Sequence, residues 1–282
     1  MTVATKSKQI GMRQGAAIAN LSQSTQLDLI AEGLPVLMGS ANDLFVAAYD
    51  LTEHSRAAAV LEGHALEEVA KILILMDIVR CPEKQRSSRI GRMMRWFYSH
   101  LARLLYVDAQ SWKPQNIREL QSYIDHSRQS HYLEQAMGGI VMPNWTVYLR
   151  ESSLYADIIA GEEGILSWNE PAAQPFRYPA LWDVCVSLRD IGAFSRDGLD
   201  IVSKVWSQTD FNDIANRKNS DELTVEMLSS LKDAELITGE SHDLQKQKLC
   251  HNWQLPMYRI DFDKTQINLE DLQNERAYIV DY

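Results

Sequence analysis

Apolar residues recur at helical spacing through most of the first half of the chain. Leu27–Asp50 predicts one helix, with a break or kink at Gly33-Leu34-Pro35 near its start. Residues 56–80 predict a second. At about 100° per residue, Leu61, Ala65, Val69, Ile72, Leu75, Met76 and Val79 share one face, and Cys81-Pro82 ends the run. A third helix is expected from Lys84 to about Gln110. A fourth is expected over Pro114–Met137, opened by Pro114 and stopped by Gly138-Gly139. The short connections predict an antiparallel up-and-down bundle over residues 25–140.

Beyond it the pattern loosens. Residues 141–177 read as a Gly- and Pro-punctuated connection with Trp145, Trp168 and one short helix near Ser152–Ala160. Residues 178–207 and Asp221–Ala234 return to helical spacing. Tyr258, Ile260 and Phe262 alternate with Arg259, Asp261 and Asp263, a period-2 signal for a short strand. The expected fold is therefore mainly α: an N-terminal helical bundle and an α-rich region, 178–282, carrying a small β element. Residues 1–24 read as a flexible arm.

One polar residue disturbs the second helix. Glu68 falls roughly 20° from Leu61 and about 40° from Ile72 on the wheel, inside the apolar arc. A carboxylate aimed at a core requires a cation or a hydrogen-bond donor opposite it. Glu67, four residues before Lys71, reads as a surface partner of that lysine.

The charge distribution supplies candidates for the opposite partner. The whole chain carries −10, but residues 80–103 carry +6 through Arg80, Lys84, Arg86, Arg89, Arg92, Arg95 and Arg103 against Glu83, leaving −16 elsewhere. A −10 total argues against a general nucleic-acid coat. Three scattered cysteines give neither a zinc framework nor a disulfide scaffold, which fits a reducing cytoplasm. The uninterrupted apolar runs are too short to span a bilayer, so no membrane is expected.

On an unbroken third helix, His100 lies on the seam between the core and an arginine-lined surface. An imidazole there suits acid–base chemistry on RNA, with guanidinium groups neutralising the phosphate. A straight helix holds Arg95 about 140° from His100, so only a distortion, a long reach or a partner subunit brings them together. Glu68 is expected to meet His100, Arg92, Arg95 or Arg103, either orienting the histidine or forming a structural ion pair. His64 and Glu68 could form half a metal site, but the chain has no Glu-x-x-His pair and no cofactor is expected.

Several elements in order resemble the AbiV family of phage abortive-infection proteins. They are Ala41-Asn-Asp43, Ala57–Leu66, Glu67-Glu68-Val-Ala-Lys71 and Phe97-Tyr-Ser-His100. Arg103 stands where the family often has Lys, and Ala70 where it often has Gly. The string Arg95-Trp-Phe-Tyr-Ser-His100 also resembles the Arg-x4-His signature of HEPN ribonucleases, helical bundles that dimerise to cut RNA without metal. The resemblance covers about residues 25–110. It implies a cytoplasmic, homodimeric anti-phage protein acting on RNA or translation. His100, Arg95 and Glu68 would be its catalytic group, and Arg89, Arg92 and Arg103 its RNA-phosphate contacts. The alternative is a non-enzymatic protein that docks a phage or host protein through its acidic remainder and the tryptophans of the connection.

Overall fold

The computed structural model describes residues 10–271 apart from residues 52, 136–137, 143, 161–165, 172–178, 213–214, 238–241, 266 and 268–270. Its helices are α1 (Ile10–Ala19), α2 (Gln23–Asp50), α3 (Ser55–Arg80), α4 (Glu83–Tyr98), α5 (His100–Ser111), α6 (Ile117–Arg128), α7 (Trp145–Leu154), α8 (Pro179–Asp190), α9 (Arg196–Trp206), α10 (Arg217–Asp233) and α11 (His242–Asn252). Two antiparallel hairpins interrupt them, β1–β2 (His131–Gln135 with Gly138–Met142) and β3–β4 (Asp157–Ala160 with Leu166–Asn169). The fold is a mainly α helical bundle.

α3 is its central element. Every residue from Ile72 to Arg80 is buried, so the helix has no solvent stripe in its last nine residues. α2 packs along α3 through Leu27, Ile30, Leu34, Met38 and Ala41. The helix runs unbroken through Pro35, which lies on the exposed side where water can serve the carbonyl that proline leaves unbonded. By length and mean hydropathy α2 could cross a membrane, contrary to the reading of short apolar runs; here its inner side belongs to the core. Part of the expected flexible arm is also ordered: α1 lies across α4. Their backbones meet so closely that a Cβ on Gly15 would stand 3.1 Å from Met94 Cβ and 3.2 Å from Gly91 Cα.

Local chemistry moved several expected boundaries. The helix expected over 84–110 is two helices, because Ser99 leaves helical geometry (φ −92°, ψ 121°) and its Oγ accepts from Ala102 N. The helix expected to reach Met137 stops at Arg128, and Gly138-Gly139 open β2. Asn144 caps α7 upstream of the expected short helix. The helix expected over 178–207 is split by a turn in which Gly192 takes φ 75° and Ser195 caps α9. The anticipated strand does not form. Tyr258, Ile260 and Phe262 are buried in alternation, but the side chain of Gln121, not a neighbouring strand, bonds Asp261 N and O.

One hydrophobic core includes residues from both the N-terminal bundle and the C-terminal third. A buried polar junction ties them. Arg80 and Asp77, 2% and 1% exposed, pair with each other on α3. Asp77 Oδ2 accepts from Tyr106 Oη (2.6 Å) and Met257 N (2.9 Å). Arg80 donates to Gln254 O (3.1 Å) and lies over the rings of both Trp206 and Trp253, 4.7 and 4.0 Å from their centroids. Removing one partner strands a charge in a dry core. Arg80→Ala is therefore expected to lower the free energy of unfolding by about 3–5 kcal/mol, measured by urea denaturation; a loss below about 1 kcal/mol would show that the pair behaves as a surface one.

Candidate active site

The buried carboxylate of α3 is Glu67, not Glu68. Glu67 is 3% exposed and belongs to the face that runs through Ala59, Gly63, Ala70 and Ile74, all of them buried. That face meets α5 and α7. Glu68 instead pairs with Lys71 at 2.5 Å near the surface, and Lys71 Nζ sits 5.5 Å from the centre of the Phe97 ring. The expected roles of the two glutamates are exchanged. A wheel with a single core-facing side fails for a helix that is packed on nearly all sides.

Three cationic or ionisable side chains converge on Glu67. Oε2 lies 2.6 Å from Arg103 Nη2 and 2.7 Å from His100 Nδ1; Oε1 accepts from Arg150 Nε at 2.8 Å. Arg103 also donates to Phe97 O at 3.3 Å, which ties the end of α4 to the first turn of α5. Burial alone would raise the Glu67 pKa. Arg103, the hydrogen bond from Arg150 and His100 outweigh it and hold the carboxyl below the usual glutamate range.

His100 is the exposed member of this cluster, with 54% of its side chain open to solvent. The Ser99 break makes it the first residue of α5 and turns its ring toward Glu67. Nδ1 also lies 2.8 Å from Arg103 Nη2. With a proton, Nδ1 donates to Glu67; without one, it accepts from Arg103. Both protonation patterns keep the ring held through Nδ1 and leave Nε2 for other chemistry.

His64 stands one turn before Glu67. Burial lowers its pKa, and Arg150, His100 and Arg103 add to that effect against the opposing pull of Glu67, so its neutral form is favoured. His64, Glu67 and Arg150 line a cavity of about 10 Å³, the size of one water. Among the described residues, no group of three or more His, Cys, Asp or Glu side chains is placed to hold a metal ion.

Of the residues expected at the site, only His100 and Arg103 meet. Arg95 points elsewhere, 3.8 Å from Asp263, while His100, set at the start of α5 by the Ser99 break, meets Glu67. Arg89 donates to Gln85 Oε1 and Tyr258 O, and Arg92 is exposed on α4. Arg86 is buried, serving Val79 O, Cys81 O and Ser203 Oγ. Much of the basic stretch thus bonds the protein to itself. Arg150 was missed in the sequence although it is the sole Lys or Arg between Arg128 and Arg177.

Comparison with family models, curated proteins and solved structures gives no match.

The lowered Glu67 pKa carries a sign. Its stabilising contribution is complete above the ordinary glutamate pKa and is lost as pH falls through the lower, folded-state value. Glu67→Gln is therefore expected to be less stable than the wild type at pH 7, with the gap closing on acidification. Parallel pH–stability curves for the two proteins would contradict this.

Proposed function

We propose that this chain is a bacterial anti-phage protein of the abortive-infection type, and that it cleaves RNA at the Glu67–His100 cluster without a metal ion. The reading is supported by the order of motifs that resembles the AbiV family. The single observation that carries it is a half-exposed imidazole anchored to a buried carboxylate between two arginines. In this role the protein works in the cytoplasm as a homodimer.

The chemistry follows from which groups are free. Glu67 offsets one of the two guanidinium charges, so the cluster keeps a net positive charge for a phosphate. His64, favoured neutral, accepts the proton of an RNA 2′-hydroxyl as its oxygen attacks the adjacent phosphorus. The P–O5′ bond breaks as His100 Nε2 donates a proton to the leaving oxygen. Arg103 and Arg150 balance the charge that builds on the phosphorane. The products are a 2′,3′-cyclic phosphate and a 5′-hydroxyl. Glu67 positions His100 and does not itself touch the substrate.

Purified protein incubated with total RNA in EDTA is expected to produce ends bearing 2′,3′-cyclic phosphate. His100→Ala should lower the rate by about 100-fold or more. Because His100 is half exposed, the variant should keep its melting temperature, and it should fail to protect cells in a phage challenge. Intact RNA, or equal cleavage by His100→Ala, would contradict the assignment.

A further inference from the structure

The β3–β4 hairpin carries an apolar face that is exposed among the described residues. Its register pairs Ile158 with Trp168 and Ala160 with Leu166, so Ile158, Leu166 and Trp168 stand on one side. They are 52%, 67% and 72% exposed. The strands pair chiefly with each other and pack on no helix to a similar extent. An isolated two-stranded hairpin has little stability of its own, and an exposed apolar group rimmed by polar residues marks an interaction surface.

The rim decides what can sit there. Residues 151–176 contain Glu151, Asp157, Glu162, Glu163 and Glu170 and no Lys or Arg. Glu151 and Glu170 are exposed beside the hairpin, and Asp157, also exposed, alternates to the opposite face within a few ångströms of the apolar one. The three exposed carboxylates of Glu151, Asp157 and Glu170 repel a nucleic-acid backbone and an anionic membrane, and attract a cationic protein surface. Trp168 provides the large, rigid anchor that dominates binding energy when a partner buries it.

We propose that this face of the hairpin docks a partner protein through a segment in which apolar side chains alternate with lysine or arginine. The surface is distinct from the Glu67–His100 cluster yet joined to it. α7 brings Arg150 to Glu67 and passes through Tyr155 and Ala156 directly into β3. A partner seated on the hairpin therefore bears on the helix that supplies one of the two arginines, a direct route for a trigger to reach the site.

Selection of a random 12-residue peptide library against the full chain tests the surface independently of any RNA cleavage. Peptides rich in Lys or Arg beside apolar residues should be enriched. Their affinity should fall at least 10-fold on Trp168→Ser with Leu166→Ser. It should also fall with rising salt, and on Asp157→Asn with Glu170→Gln, a pair that leaves the apolar side chains in place. Enrichment of acidic peptides, or retention of the selected peptides by both double variants, would overturn the assignment. So would binding at this face of a single-stranded RNA oligomer or phosphatidylglycerol vesicles in place of the peptides. Concentration-dependent self-association abolished by Trp168→Ser would overturn it too, by assigning the face to a second copy of the chain.

Discussion

Glu67 constrains three helices at once. A carboxylate that is 3% exposed has to be matched by charge where it lies, and no cation on α3 serves it. Arg103 comes from α5 and Arg150 from α7, so satisfying the glutamate fixes how both helices approach α3. Small residues at Ala59, Gly63 and Ala70 let that approach be close. The same interaction creates an imbalance with chemical consequences. Two guanidinium groups on one carboxylate leave positive charge, and His100 completes the cluster at its solvent edge.

Asp77 and Arg80 do a comparable task further along α3 with a different outcome. Their cluster is closed: Tyr106, Met257 N, Gln254 O and two tryptophan rings enclose it. It fastens the segment after α11 to the bundle and offers no group to solvent. Gln254 extends the fastening, bonding Ala109 O, Trp112 O and Arg217. One central helix thus holds two buried ion clusters, one sealed and structural, the other open at a histidine.

Helical periodicity made the bundle legible, and of the face it predicts on α3, Ala65, Val69, Ile72, Leu75, Met76 and Val79 are buried. Interruptions by capping side chains were not. Ser99 sits in an otherwise helical run and redirects the chain by accepting Ala102 N, an effect of one hydroxyl that a wheel does not register. The need for a buried carboxylate in α3, answered by His100 or an arginine, was legible; its address was not. Glu67 and Glu68 differ by one position, and the deciding signal was the row of small residues at 59, 63 and 70, which a hydrophobicity pattern counts as weakly apolar. Arg150 could not be placed because its partner lies 83 residues away and its own helix begins at a cap, Asn144, within a stretch that reads as connection. The period-2 run at 258–263 alternates in burial and yet is not a strand, since a turn at Tyr258-Arg259, closed by Ile260 N on Met257 O, stands where the strand would start.

The identity of the organising glutamate is the point on which the functional account stands. The decisive measurement is the RNA cleavage rate of Glu67→Gln beside that of Glu68→Gln, each corrected for its folded fraction. Glu67→Gln is expected to lose about 100-fold or more, and Glu68→Gln, whose side chain pairs with Lys71, to keep a near wild-type rate. Equal rates for the two variants, or a greater loss in Glu68→Gln, would contradict it.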